Sequence, residues 1–253
     1  MTADQKFIGI IPSRYASARF PGKPLADILG RPMFWHVYHQ ALKCSLFDRV
    51  LLATDDLRIL EAAKGLLIPA VMTSREHNSG TDRVLEAAQT LGASDQSVIV
   101  NIQGDEPALD PEMLDQLLSP FVSGTDVGIS TLARLVGFDE AQNINLVKVV
   151  FSGTGKALYF SRSVIPHPGE NASLFAHVGL YAFRMKLLKS FSKMGQGRLE
   201  RIERLEQLRL LEADIPIQVM VTERVSHGVD TPEDIKKVTK IIQEKHNESS
   251  FSP

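Results

Sequence analysis

Two short segments carry residue types suited to handling a polyphosphate. After an apolar run at 7–11 the chain reads Pro12-Ser13-Arg14-Tyr15-Ala16-Ser17-Ala18-Arg19-Phe20-Pro21-Gly22-Lys23-Pro24-Leu25. Three cations, Arg14, Arg19 and Lys23, fall within ten residues, with small residues and glycine between them. Small residues let a backbone approach a phosphate closely, and cations neutralise it. In an α/β sheet the loop at the carboxyl end of the first strand lies where ligands bind, which favours that reading over a solvated basic loop. The segment is neither GxGxxG nor GxxxxGK[ST], so dinucleotide-binding and P-loop readings are disfavoured. The second segment is Asn101-Ile102-Gln103-Gly104-Asp105-Glu106-Pro107. An aspartate at the carboxyl end of a strand suits Mg²⁺ held by one or two carboxylates plus substrate phosphates. Taken alone, Asp105 has a less favoured alternative reading as a turn aspartate capping the next element, and Glu106-Pro107 read as residues that shape the turn. The two segments together are more specific than either, because metal and cations must share one polyphosphate.

Other candidates have structural readings of comparable weight. Ser79-Gly80-Thr81-Asp82-Arg83 opens a helix with Ser or Thr as its N-cap. Asp230 immediately precedes Thr231-Pro232-Glu233-Asp234, a helix start with Thr at the N-cap, Pro behind it and acids in the first turn. His177 and Tyr181 recur at i and i+4 on a predicted strand, where a buried histidine is commonly a satisfied core residue. Glu206 reads as part of a solvated helix face. Leu199, Ile202, Leu205, Leu208 and Leu211 form a core stripe.

The elements that must carry these residues alternate. Strands are predicted at 7–11, 49–54, 70–72 and 97–102, and helices at 33–43, 57–66 and 79–91. Strands that are apolar throughout and separated by helices argue for a parallel sheet covered on both faces. The second half is richer in strands, at 127–134, 147–151, 157–161 and 177–183, which suggests an inserted region of mixed strands. Helices follow at 185–192 and 199–212, then a strand at 216–222 and a last helix from 231. The tail, 247–253, is expected to fray.

Composition bounds the class. The chain has 253 residues, 43% of them hydrophobic and 23% charged, as in ordinary globular domains. The net charge of −2 and the lack of clustered aromatics with basic residues disfavour a nucleic-acid partner. One cysteine, Cys44, excludes an intrachain disulfide. The N-terminal apolar run is too short for a signal peptide, and no stretch approaches the ~18 apolar residues of a membrane helix. A soluble, cytoplasmic protein with no membrane partner is expected.

At this point the motifs join into a pattern. IPSRYASARFPGKPL, ATDD, MTS followed by SGTDR, VNIQGDEP, VKVV, ALYFSR, IP, HVGLYAFR, LERIERLEQLR and GVDTPED occur in order over nearly the whole chain. In these the sequence resembles the sugar-activating nucleotidyltransferases, most closely the 3-deoxy-D-manno-octulosonate (Kdo) cytidylyltransferases. The resemblance implies a Rossmann-like (GT-A-like) α/β three-layer sandwich with a mainly parallel sheet. It implies one nucleotidyltransferase domain over 1–253, with a strand-rich sugar-binding and dimerisation insertion at about 127–183, and a homodimer. It implies transfer of CMP from CTP to Kdo with release of pyrophosphate, activating Kdo for lipopolysaccharide synthesis. The alternative acceptor is 8-amino-Kdo or another ulosonic or sialic-type acid. By the same resemblance Arg14, Lys23, Asp105 and Asp230 are catalytic, with Mg²⁺ on Asp105 and Asp230. CTP is bound by Arg14, Arg19, Lys23, Ser79, Gly80, Arg83 and Gln103, and the sugar by Gln103, Arg162, His177, Tyr181, Glu206 and Gln207. One departure stands near the implied sugar pocket: Ala176 replaces the arginine usual before the histidine of HVG, and the stretch 166–175 is short.

Overall fold

A computed structural model of the chain describes residues 5–16, 19–77, 79–169 and 172–250. In chain order the elements are β1 (Phe7–Ser13), β2 (Asp27–Ile28), β3 (Arg31–Pro32), α1 (Met33–Ala41), β4 (Arg49–Thr54), α2 (Leu57–Gly65), β5 (Ala70–Met72) and α3 (Gly80–Thr90). There follow β6 (Val98–Asn101), α4 (Pro111–Val122), β7 (Ile129–Val136), α5 (Phe138–Ala141), β8 (Lys148–Phe151), β9 (Ala157–Ser161) and β10 (Leu174–Arg184). The chain ends with α6 (Met185–Phe191), α7 (Arg198–Glu203), α8 (Leu208–Glu212), β11 (Gln218–Val221) and α9 (Pro232–Ser250). The fold is mixed α/β. Its described residues fall into two compact units, one of residues 7–92, 101–111 and 225–250, the other of residues 5–6, 93–100 and 112–224. No helix among the described residues is long and apolar enough to cross a membrane.

In the first unit β1 pairs in parallel with β4, from Ile8 opposite Arg49 to Ser13 opposite Thr54, and β4 pairs in parallel with β5. Nearly every side chain of β1 and β4 is buried, as expected of parallel strands covered on both faces. Asp56 caps α2 by accepting from Arg58 N at 2.9 Å, and Ser79 caps α3 by accepting from Asp82 N at 3.2 Å. The cap at Asp56 sets the start of α2 just beyond the carboxyl end of β4, and the cap at Ser79 sets the start of α3. Val238 and Ile242 of α9 pack on Ile28, Met33, Ala108 and Val229. That packing fixes the segment leading into α9. Gly104 lies so close to β1 that a Cβ would stand 2.5 Å from Pro12 O. Only glycine permits that approach.

In the second unit β11 runs parallel to β7, while β10 is antiparallel to β7 and to β8, and β8 and β9 pair antiparallel. Four readings of the sequence change here. The helix predicted over 199–212 is two helices, because Arg204 adopts a left-handed φ of 57° that ends α7. The leucine stripe is correspondingly broken: Leu205 and Leu208 are buried, but Ile202 is 66% exposed. Helix α4 went unpredicted, although Pro111-Glu112 and the buried Met113, Leu114, Leu117, Leu118 and Phe121 mark its start and core face. Ala176 is fully buried among Val136, Ala141 and Leu174, so its side chain belongs to a packed apolar cluster. At the end of the chain, in the first unit, the helix persists to Ser250 rather than fraying from 247, and 251–253 lie outside the described residues.

The tight approach of Gly104 generates a stability prediction. Gly104→Ala forces a methyl onto a backbone oxygen that cannot rotate away, an overpacking of about 2–3 kcal/mol, so Tm should fall by about 5–10 °C. Gly153→Ala, which meets nothing within 4 Å, is the control. Thermal unfolding followed by circular dichroism decides it, and an unchanged Tm for Gly104→Ala would disprove the close packing.

Candidate active site

The basic loop after β1 and the acidic turn after β6 meet in the first unit. They line a cleft of about 290 Å³ to which Arg14, Arg19, Lys23, Gln103, Asp105 and Asp230 contribute. Gly80, at the start of α3, completes its wall. Lys23 stands at the focus, in a short 3₁₀ turn entered through Gly22 at φ 73°. Its Nζ donates to Asp105 Oδ2 at 2.8 Å and to Val229 O at 2.8 Å, and lies 3.8 Å from Asp230 Oδ1. Arg19 grips Asp230 with two bonds, at 3.1 and 2.9 Å. The loop is closed by Gly22 N donating to Tyr15 O at 2.8 Å. The Tyr15 ring carries the Arg58 guanidinium 3.3 Å from its centroid.

Asp230 is not consumed in capping α9. Asp234 Oδ2 accepts from Asp230 N at 3.0 Å and from Thr231 N at 2.9 Å, so Asp234 performs the cap. Those bonds hold the Asp234 carboxyl below its ordinary value. The Asp230 carboxylate turns instead to Arg19 and Lys23. Two carboxylates brought to one ammonium offer hard oxygen donors on one side of a cleft whose other groups are cationic. That donor set fits a magnesium ion that takes one or two carboxylates and completes its shell with phosphate oxygens and water. Among the described residues no group of three or more His, Cys, Asp or Glu is placed to hold a metal ion by itself.

The remaining nucleotide-side candidates have different surroundings. The Ser79 hydroxyl is engaged with Asp82, accepting from its N and donating to Oδ2 at 3.1 Å. Arg83 does not line the cleft. Its side chain is fully buried and bonds Asp55 Oδ2 at 2.7 Å, the Thr73 hydroxyl, and Ser74 O at 3.3 Å. It ties Asp55, Thr73 and Ser74, just beyond β4 and β5, to α3. Glu106 was read only as a turn residue. Its carboxyl accepts from Ser226 Oγ at 2.8 Å, and burial, with Asp105 adding to it, pushes its pKa up to about 7.

The sugar-side candidates, apart from Gln103, lie in the second unit. A bulge in β10 makes Val178 face Leu132 and Tyr181 face the next residue, Thr131. On a straight strand residues four apart are well separated, but the bulge folds the His177 and Tyr181 rings to 5.3 Å. Thr131 Oγ1 donates to Leu180 O at 2.8 Å, which leaves its lone pairs for His177 Nε2–H at 2.9 Å. His177 is half-buried by surface, and the dense packing around its ring lowers its pKa to about 3. Burial pushes the Tyr181 hydroxyl up, and the nearby Glu206 carboxylate adds to the effect. Gln207 is buried. Arg162 is tied at several points: its N and Nε donate to Glu203 Oε2 and O at 2.9 and 3.0 Å, and its Nη1 to Ile144 O at 3.3 Å. Lys148 is fully buried, and its Nζ donates to Asn143 O, Leu146 O and Arg162 O. Sequence reading passed over Lys148 and Glu203. A lone lysine inside the apolar run Val147-Lys148-Val149-Val150 was the available signal.

A cationic loop after the first strand of a parallel sheet, ion-paired with two carboxylates in one cleft, suits a nucleotidyltransferase. Residues 8–220 match the family described as Cytidylyltransferase. A 3-deoxy-manno-octulosonate cytidylyltransferase of Nitratidesulfovibrio vulgaris (strain DP4) is 56% identical over 96% of this chain and 99% of its own. One of Lawsonia intracellularis is 49% identical over 94% and 95%. A solved structure of CMP:2-keto-3-deoxy-manno-octonic acid synthetase complexed with CTP superposes with a TM-score of 0.90 at 39% identity, covering 95% of this chain and 99% of that one. The chain belongs to the 3-deoxy-manno-octulosonate cytidylyltransferase family.

The packing of His177 has a consequence for acid stability. Its folded pKa lies below the unfolded value of 6.5. Between about pH 6.5 and about 3 the unfolded chain therefore binds a proton that the folded chain does not, and stability falls as pH falls. His177→Gln keeps a donor for Thr131 and removes this proton, so its Tm should decline less steeply than wild type from pH 6.5 to pH 4. Parallel Tm–pH curves would show that the folded imidazole protonates freely.

Proposed function

We propose that the chain catalyses CTP + Kdo → CMP-Kdo + pyrophosphate. The observation that carries the reading is the convergence of Asp105, Asp230 and Lys23 in the cationic cleft, with Lys23 Nζ at 2.8 and 3.8 Å from the two carboxylates, in a chain whose relatives bear that enzyme name. The anomeric hydroxyl oxygen of Kdo forms the new bond to the α-phosphorus and loses its proton, while the bond to the β-phosphate oxygen breaks. Such a step is mostly positioning and charge neutralisation. Arg14, Arg19 and Lys23 hold the triphosphate. Asp105 and Asp230 hold magnesium, which when bound neutralises charge on the phosphates that react and leave. Gln103 and the start of α3 at Ser79 and Gly80 serve the nucleotide, and the buried Arg83 keeps that start in place. His177, Tyr181, Glu206 and Gln207 serve the sugar, and Arg162 contributes through the backbone it orders as much as through its charge. The relatives' names favour Kdo itself over an 8-amino or sialic-type acid. The reading extends to a cytoplasmic homodimer whose product feeds lipopolysaccharide synthesis.

Pyrophosphate release over four nucleoside triphosphates and several sugar acids tests the proposal. CTP with Kdo should be the preferred pair, with UTP the nearest competitor because it differs only at the base edge. Equal rates with all four nucleotides would sink it. Asp105→Asn keeps the shape but weakens a hard ligand, and kcat should fall about 10²-fold or more. Near-wild-type turnover of Asp105→Asn at saturating Mg²⁺ would remove Asp105 from the metal site.

A further inference from the structure

Asp230 stands in a segment without regular structure. Residues 225–230 form neither strand nor helix, so no ladder determines where its carboxylate lies. On one side the segment is anchored by α9. On the other, three hydrogen bonds attach it to the rest of the cleft. Val229 N donates to Asp105 O at 2.8 Å, and Lys23 Nζ donates to Val229 O at 2.8 Å. The third runs from Ser226 Oγ to Glu106 Oε2 at 2.8 Å. Glu106 has no recorded ion pair among the described residues, and the proposed reaction gives it no task. Its side chain sits beside Asp105 yet is committed to a neutral hydroxyl on the segment that carries the other carboxylate.

We propose that Glu106 is a positioning residue which, through Ser226, sets where Asp230 stands relative to Asp105. The inference rests on the assignment of those two aspartates as the metal ligands. Glu106 touches neither substrate nor metal in this reading. Asp105 is placed by the turn after β6, whereas Asp230 lies outside any strand or helix and depends on contacts from other segments, those of Arg19, Lys23 and Asp234 and the bonds that hold residues 226–229. Without the Ser226 bond, the segment keeps its Val229 bond to Asp105 O but loses its link through Glu106, and the spacing of the two carboxylates is held less tightly. Outer partners that orient metal ligands typically govern metal affinity by 10- to 100-fold. The contacts of Arg14 with the nucleotide and of the second unit with the sugar do not pass through Ser226, so the KM for Kdo should stay unchanged.

The test uses the full chain with Mn²⁺ as the probe, its binding in the presence of CTP followed by electron paramagnetic resonance. Glu106→Ala and Ser226→Ala should each weaken Mn²⁺ binding about tenfold, and should raise by a similar factor the Mg²⁺ needed for half-maximal turnover. The double variant should be no worse than either single one, because both remove the same bond. Glu106→Gln retains an oxygen that accepts from Ser226 and should stay within about threefold of wild type. Should Glu106→Ala fail to fold, Ser226→Ala alone decides, since it deletes one hydroxyl from a half-buried surface position. Wild-type Mn²⁺ affinity in Ser226→Ala would overturn the proposal. So would additive losses in the double variant, or Glu106→Gln as damaged as Glu106→Ala, which would make the carboxylate itself the ligand. Mn²⁺ binding requires no turnover. A wild-type chain that binds Mn²⁺ with CTP yet makes no CMP-Kdo would refute the proposed reaction and leave this inference standing.

Discussion

The ion pairing of Lys23 is the interaction on which the cleft of the first unit depends. Two aspartates from distant segments are brought to one place, where like charges would repel. The ammonium of Lys23, only 15% exposed, reaches both and also takes the carbonyl of Val229. A cation that is largely withdrawn from water needs such partners, because an unpaired buried charge is costly. Much of the surrounding geometry can be understood as what is required to put Lys23 there. The loop must turn sharply, which Gly22 allows at a positive φ. The acidic turn must come close to β1, which Gly104 allows by having no side chain. The last helix must bring Asp230 back to the start of the chain, which the apolar contacts of Val238 and Ile242 achieve.

Structural and chemical duties are divided among nearby acids in the first unit. Asp234 takes the backbone N–H groups at the start of α9, and Asp230 is thereby left to face cations. Asp56 caps α2, while the adjacent Asp55 pairs with Arg83. Glu106 bonds Ser226, while the adjacent Asp105 faces Lys23. Asp55 and Asp56 are adjacent, as are Asp105 and Glu106, while Asp230 and Asp234 lie four apart; in each pair one acid holds backbone or a hydroxyl and the other meets a cation from a distant segment.

In the second unit the comparable device is the bulge in β10. It brings two aromatic side chains four residues apart into contact and leaves Thr131 to fix the orientation of His177. Lys148 supports this region from within the core, all three of its recorded bonds going to backbone carbonyls. A lysine so placed stabilises loop backbone that would otherwise carry unpaired acceptors.

The parallel strands, the helix starts and the basic loop were legible because they depend on local chemistry. Apolar runs without alternation mark buried parallel strands, Ser and Asp before a periodic segment mark caps, and closely spaced cations with glycine mark an anion loop. The motif order also made the family legible over nearly the whole length. Elements that depend on distant partners were not legible in the same way. Arg204 breaks a pattern that is helical in periodicity through 199–212, taking a left-handed conformation that its residue type does not signal. Ala176 lies next to a site histidine in sequence but points into an apolar cluster, because alternate residues of a strand face opposite sides. Arg83 belongs to a motif whose Gly80 lines the cleft, yet its guanidinium is buried against Asp55, a residue 28 positions earlier. Residue type and spacing by themselves determined which groups are available for the chemistry. Which of them converge, as Asp105, Asp230 and Lys23 do, and which become internal supports, as Glu106, Arg83 and Lys148 do, was decided by the tertiary structure, because only the folded backbone brings charges from separate segments within hydrogen-bond reach.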